Sequence, residues 1–85
     1  MTIADDVQEA AEDGNVVIGT EETVKAIDSL ERVVLAHNVP DECAEAVAVA
    51  ADGTDTVVEH VDVDNAELGS LCMKPFTASV VGLKG

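Results

Sequence analysis

One short run of consecutive apolar residues constrains the fold more than any other feature of this sequence. Residues 33–36 read Val-Val-Leu-Ala, with Arg32 before them and His37 after them. A strand that carries apolar residues at successive positions buries both of its faces, as strands do in a sheet with helices on each side. The run therefore predicts a strand over residues 32–36 in the middle of a layered structure.

Three further strand segments alternate with segments in which apolar residues recur at helical spacing. The predicted strands cover residues 16–18, 32–36, 56–59 and 77–81. The predicted helices run from residue 3 to a stop at Gly14, over residues 20–28, from Pro40 to a stop at Gly53, and from an Asn65 cap to residue 71. The order α-β-α-β-α-β-α-β predicts a three-layer α/β/α sandwich around a central four-stranded mixed sheet.

The length of the chain predicts one domain, because 85 residues are enough for a single small core and no more. Residues 1–85 show neither a repeat nor a linker. The hydrophobic content of 47% comes mainly from alanine and valine, and Phe76 is the only aromatic residue. The core is therefore expected to be lean.

The net charge of −14, from eighteen acidic and four basic residues, is opposite in sign to that of an ordinary nucleic-acid binder. The acidic residues are interleaved with apolar ones, which argues against an acidic disordered tail. At roughly 1 M salt the Debye length shrinks to about 3 Å, so repulsion among these carboxylates is screened. The composition predicts a cytoplasm with molar salt, as in a halophilic archaeon.

Phe76 lies beside Lys74 and Pro75 in a segment marked by glycine and proline. A ring next to a lysine in a loop is a candidate stacking platform for an unpaired nucleobase. The alternative is that Phe76 begins the last strand and packs inward, as most lone aromatic residues do. The local sequence leaves both interpretations open.

A second candidate segment covers residues 19–25 and follows the apolar run at residues 16–18. It predicts a strand, a glycine turn and a helix start, with Thr20 as the N-cap. Backbone N–H groups at such a start point outward and can bind a phosphate or a base edge. The structural alternative is an ordinary helix start whose glutamates interact with the macrodipole. The presence of Lys25 favours binding.

Four features in this order resemble the ribosomal L-thirty-e proteins, within the L-seven-A-e superfamily of kink-turn RNA binders. They are the Gly-x-x-x-Thr-x-Lys turn at residues 19–25, Asn38 at the end of the second strand, Glu-Leu-Gly at residues 67–69 and Lys-Pro-Phe at residues 74–76. The resemblance extends from about residue 3 to residue 83. It implies that the loops after the first and second strands and before the last strand converge at one end of the sheet.

The resemblance also implies which residues contact RNA. By analogy, Gly19 lets RNA approach the backbone, Glu22 accepts hydrogen bonds from guanine edges, and Lys25 and Lys74 meet phosphates. The full implied set is Gly19, Thr20, Glu22, Lys25, Asn38, Lys74, Pro75 and Phe76.

The rest of that set completes the implied surface, and two positions depart from the family pattern. Asn38 is expected to form a hydrogen bond with a base or sugar, and Pro75 with Phe76 is expected to form an apolar shelf.

Glu21 stands where the superfamily commonly has asparagine or a basic residue, and Met73 replaces the usual glycine of the last loop. An added carboxylate facing RNA is expected to repel it.

The function implied by the resemblance is recognition of a kink-turn or internal loop in ribosomal RNA, alongside other components of the large (50S) ribosomal subunit in the cytoplasm. Such loops present base edges that a regular A-form groove hides. Two alternatives stay open: another kink-turn ribonucleoprotein, or a protein-interaction module of the same fold that no longer binds RNA.

Other classes of function lack a signal in the sequence. There is no Gly-x-Gly-x-x-Gly, no P-loop and no nucleophile with a nearby base, so we expect no enzyme, no small-molecule substrate and no cofactor. Cys43 and Cys72 are far apart and lack histidines at ligand spacing, so we expect free thiols and no metal site. No apolar run approaches the roughly 20 residues of a membrane span, and no signal peptide is evident.

Overall fold

The computed structural model describes residues 3–74 and 77–84. Within these ranges helices and strands alternate in the expected order. Their bounds are α1 (Ile3–Glu12), β1 (Val16–Ile18), α2 (Thr20–Lys25), β2 (Leu30–Leu35), α3 (Asp41–Ala51), β3 (Val57–His60), α4 (Asn65–Leu71) and β4 (Val80–Lys84).

The strands form one mixed sheet with the order β1-β4-β2-β3. β4 is antiparallel to both β1 and β2, whereas β2 and β3 are parallel. The register pairs Leu35 with both Val80 and His60, and Ile18 with Val81. The carboxyl ends of β1, β2 and β3 and the amino end of β4 therefore lie at one end of the sheet.

Helices cover both faces of the sheet, which confirms the predicted three layers. On one face the fully buried Val34 of β2 belongs to the same core as Val7 of α1 and Leu68 of α4. On the other face its neighbour Val33 belongs to the core that contains Val47 of α3. Burial of each such side chain contributes about 1.5–3 kcal/mol. The unbroken apolar run of β2 thus serves two cores, as the sequence predicts.

The last strand lies later in the chain than the sequence predicts, at Val80–Lys84 rather than residues 77–81. The Ala78 N–H donates to the Asn65 carbonyl, at 2.9 Å, and therefore does not bond to a neighbouring strand. The strand begins only after this residue. It continues through Gly82, where a Cβ would lie 2.5 Å from Cδ1 of the buried Leu30. Glycine here allows close packing and does not end the strand.

The second helix is shorter than predicted and the second strand begins earlier. α2 ends at Lys25, and a 3₁₀ turn at Ile27–Ser29 follows it. The Ser29 hydroxyl donates to the Ala26 carbonyl at 2.8 Å, a local bond that competes with continuation of the helix. β2 then begins at Leu30, so the predicted range of residues 20–28 for this helix was wrong at its end.

The structure also corrects two expected N-caps, each by one residue. Gly19, not Thr20, occupies the N-cap position of α2, and no side-chain bond caps this helix within the described residues. Asp64, not Asn65, caps α4, with its Oδ1 accepting from the Glu67 N–H at 2.9 Å. Asn65 is instead the first residue of the helix, and its side chain is free for another contact.

Candidate nucleic-acid interface

Three loops meet where the strands end, as the resemblance implies. The Gly19 N–H donates to the Val80 carbonyl and the Ala36 N–H to the Ser79 carbonyl, each at 2.9 Å. These bonds fasten the loops after β1 and β2 to the segment that enters β4. We call this end of the molecule the loop edge. It consists of residues 19–25, 36–39, 72–74 and 77–79, from these three connections, together with the adjoining residues 61–65 after β3.

Gly19 opens the loop edge in a conformation that other residues rarely adopt. Its φ is 102° and its ψ is 151°, a combination that is essentially restricted to glycine. Apart from its two chain neighbours, no atom of residues 3–74 and 77–84 lies within 4 Å of the position where its Cβ would be. Within these ranges the backbone is therefore uncovered on this side, and glycine is required by the conformation. Thr20 follows as a half-buried first residue of α2.

Lys25, the expected phosphate ligand at the end of α2, is paired with an acidic residue of its own helix. Its Nζ lies 3.4 Å from Oε1 of Glu21, four residues earlier, and the two side chains are 66% and 82% exposed. Such exposed pairs stabilise a helix only slightly. The pair nevertheless reduces the positive charge that Lys25 presents to a partner. Glu22 is exposed beside it.

Asn38 and Asn65 join two loops through two hydrogen bonds, both of which involve the Asn38 side chain. The Asn65 N–H donates to Oδ1 of Asn38 at 2.8 Å, and Nδ2 of Asn38 donates to Oδ1 of Asn65 at 3.2 Å. The Asn65 carbonyl accepts from Ala78, and the His37 N–H donates to the Val63 carbonyl at 2.7 Å. We call the paired amides of Asn38 and Asn65 the asparagine clamp; it fixes the loop after β2 against the start of α4.

Lys74 is exposed and follows the end of α4. Its N–H donates to the Gly69 carbonyl at 3.1 Å, and the Met73 N–H donates to the Ser70 carbonyl at 2.9 Å. These two bonds form a Schellman motif, which ends a helix by turning one residue into the left-handed region. Pro75 and Phe76 lie outside the described residues, so the stacking platform stays a prediction.

Of the expected residues, Gly19 and Asn38 lie on loops whose residues are hydrogen-bonded to the segment that enters β4. Thr20 and Glu22 lie in the first turn of α2, Lys25 ends that helix, and Lys74 follows the end of α4. The sequence did not predict the hydrogen bonds between Asn65 and Asn38, because Asn65 was expected only to cap a helix. No local pattern reveals its contact with Asn38, because the two residues are 27 positions apart. Only the convergence of the loops brings them together.

Positive charge is scarce at the loop edge. Of the four basic residues of the chain, Lys84 ends β4 at the opposite end of the sheet. Arg32 is held on the sheet by Asp6, at 3.1 Å, and by Glu59, at 3.5 Å. Lys25 and Lys74 are the two that remain for the loop edge. Two lysines leave few ion pairs for an anionic partner at this end of the molecule.

The described part of the chain includes both cysteines and all the helices named above. Cys43 is half-buried, Cys72 is buried, and both thiols are free. Residues 3–74 and 77–84 contain no cluster of three or more side chains suited to a metal ion. Each helix in those ranges is too short or too polar to cross a membrane.

The chain belongs to the ribosomal protein L7Ae/L30e/S12e/Gadd45 family, whose model matches residues 1–85. The large ribosomal subunit protein eL30 of Methanothermobacter thermautotrophicus is 30% identical over 83 residues, which cover 95% of this chain and 85% of that protein. The eL30 of Methanococcus vannielii is 32% identical over 83 residues, covering 95% of this chain and 79% of that protein.

Solved structures show the same fold at lower sequence identity. A Bacillus halodurans protein of unknown function superposes with a TM-score of 0.84 at 21% identity, over 93% of this chain and 80% of that one. A 15.5 kD RNA-binding protein of Giardia lamblia superposes with a TM-score of 0.83 at 18% identity, over 98% of this chain and 71% of that one. Both superpositions show that the fold of this chain occurs in other solved proteins.

Proposed function

We propose that this protein binds structured RNA through the loop edge and is a structural component of the large (50S) ribosomal subunit. The observation that carries the proposal is the convergence of three loops on one end of the sheet, in a member of a family that includes eL30. The RNA it recognises is a kink-turn or an internal loop of ribosomal RNA, where unpaired nucleotides expose base edges.

The loop edge offers such an RNA three kinds of contact. The uncovered backbone at Gly19 allows close approach, and the neighbouring Glu22 carboxylate accepts hydrogen bonds from guanine edges. Lys25 and Lys74 neutralise phosphates. Asn38 adds an amide held in place by the asparagine clamp, and Pro75 with Phe76 supply the apolar shelf.

The acidic surface fits this function only in concentrated salt, which supports a halophilic origin. At low ionic strength the net charge of −14 repels RNA over a long range. At roughly 1 M salt the Debye length of about 3 Å confines charge effects to direct contacts. Hydrogen bonds and stacking at the loop edge then determine affinity.

A second candidate function is a protein-interaction module that no longer binds RNA. The Glu21–Lys25 pair favours this alternative, because it places a carboxylate beside the one lysine of α2. A role in a non-ribosomal kink-turn ribonucleoprotein would use the same loop edge. That assignment differs from the ribosomal one in which RNA is bound and not in how the RNA is bound.

Binding to defined RNAs in molar KCl tests the proposal. The probes are an RNA hairpin with a kink-turn built on sheared G·A pairs and a fully paired hairpin of equal length. We expect binding to the first and weak binding to the second. Equal affinity for both would refute recognition of the kink. Co-sedimentation with 50S particles in molar KCl tests the ribosomal assignment separately.

A further inference from the structure

Met73 adopts a backbone conformation that the fold reserves elsewhere for glycine. Its φ is 62°, and no other non-glycine residue in the described part of the chain has a positive φ. It stands directly after the end of α4, at the C′ position of the Schellman motif. The equivalent turns after α1 and α3 contain Gly14, with φ 72°, and Gly53, with φ 82°.

The left-handed turn is required by the helix end, but a methionine side chain is not. Glycine is the usual residue at this position because it adopts positive φ without strain. A residue with a Cβ is strained there. Met73 gains little from packing in return, because it remains 56% exposed whereas the preceding Cys72 is buried. The folded monomer therefore gives no reason for the thioether at this position.

The location of Met73 does suggest a reason. Met73 lines a cavity of about 400 Å³ beside β1, together with Ala11, Gly14, Val16, Ile18, Cys72 and Lys74. At one end this cavity adjoins the loop edge through Ile18, which leads directly into Gly19, and it extends along β1 towards Val16. Lys74, the expected phosphate ligand, follows Met73 in the chain. Strained residues are typical of ligand contacts, where the ligand offsets the strain.

We propose that Met73 is an RNA-contacting residue whose thioether packs against a nucleobase. The proposal rests on the proposed RNA-binding function. Thioether sulfur makes favourable contacts with aromatic rings, and the flexible side chain adapts to different ring positions. The loop edge is short of cations, so an uncharged contact of this kind adds affinity that salt does not screen. Met73 thereby raises the affinity for RNA and lowers the stability of the free protein.

Two substitutions separate these effects. In Met73→Gly both the strain and the thioether are lost. Relief of the strain exceeds the freedom that glycine adds to the unfolded chain, so we expect Tm to rise by about 2–8 °C while RNA affinity falls. In Met73→Ala only the thioether is lost, so we expect an unchanged Tm and the same fall in affinity. The expected fall is about two- to tenfold, the range for sulfur–aromatic contacts. Val49→Ala, on α3 and 70% exposed, is the control and leaves affinity unchanged.

Oxidation provides a readout that needs no variant. Dilute peroxide converts an exposed methionine to its sulfoxide, and mass spectrometry of peptides locates the product. We expect the kink-turn hairpin to slow oxidation at Met73 relative to the protein alone, and the fully paired hairpin not to do so.

The outcomes distinguish this inference from the proposed function. If the unaltered protein binds the kink-turn hairpin and both Met73 variants bind it equally well, the inference is wrong and the function stands. If the unaltered protein binds no RNA at any salt concentration, the function and the inference fail together. Opposite effects of Met73→Gly on Tm and on affinity, with Val49→Ala neutral, establish the inference.

Discussion

Replacing Asn38 distinguishes a structural residue from an RNA ligand. In Asn38→Ala the asparagine clamp loses both of its bonds, at 2.8 and 3.2 Å. Each intramolecular hydrogen bond contributes about 0.5–1.5 kcal/mol. Both bonds here are exposed to solvent, so we take the lower part of that range. The expected loss of stability is therefore about 1–2 kcal/mol.

Thermal unfolding followed by circular dichroism in molar KCl measures this loss. For a domain of this size each kcal/mol shifts Tm by about 4–8 °C. Asn65→Ala is the matched control, because the Asn65 backbone N–H still donates to Asn38 Oδ1 and only the longer bond is lost. We expect it to lower stability by about half as much, near 0.5–1 kcal/mol. An unchanged Tm in Asn38→Ala would refute the clamp.

The same pair of variants then reports on RNA binding. If Asn38 acts only by fixing the loops, both variants weaken binding in proportion to their loss of stability. If the Asn38 amide also contacts RNA, Asn38→Ala loses a further hydrogen bond, equivalent to about 0.5–1.5 kcal/mol in binding free energy. We expect the second result, measured by filter binding to the kink-turn hairpin. Losses of affinity that only follow the two losses of stability would exclude a direct contact.

Three further predictions follow from single side chains. Thr23→Val is expected to keep or raise stability, by up to about 1 kcal/mol in denaturant unfolding, because the buried Thr23 hydroxyl has no hydrogen-bond partner among the described residues. Glu21→Gln releases Lys25 and is expected to raise RNA affinity several-fold in filter binding, most strongly at low salt. Burial raises the pKa of the Cys72 thiol, an effect that the Lys74 ammonium partly offsets; the unfolded thiol therefore ionises first, and the free energy of unfolding is expected to decline as pH rises above about 8.5.

Each of these has a result that would contradict it. A loss of more than about 1 kcal/mol in Thr23→Val would mean that the hydroxyl is hydrogen-bonded after all. Unchanged affinity in Glu21→Gln at every salt concentration would mean that α2 does not face the RNA. For the pH prediction, Cys72→Ala is the control, and a decline of equal size in that variant would assign the effect to another group.

The sequence predicted the layers of the fold because its apolar pattern reports burial directly. The run at residues 33–36 requires two covered faces, and Val33 and Val34 do belong to the two different cores. Element ends were less predictable because they depend on distant partners. β4 begins late because Ala78 bonds to Asn65, and it passes through Gly82 because Leu30 fills the adjacent space.

The candidate site was predictable where a residue is marked by its own chemistry. Gly19 precedes a helix start, and Lys25 and Lys74 are conspicuous because basic residues are rare in this chain. The contacts between loops were not predictable. The asparagine clamp joins residues 27 positions apart, and the positive φ of Met73 arises from the way α4 ends, which its side chain does not signal.

The dependence of RNA affinity on salt tests the central claim most directly. An ordinary RNA binder releases counterions and loses affinity steeply as salt rises. This protein has Lys25 and Lys74 at the loop edge against a net charge of −14, so screening removes more repulsion than attraction. In filter binding between roughly 0.2 and 2 M KCl, we predict that affinity for the kink-turn hairpin stays flat or increases. A steady fall in affinity over that range would contradict the account.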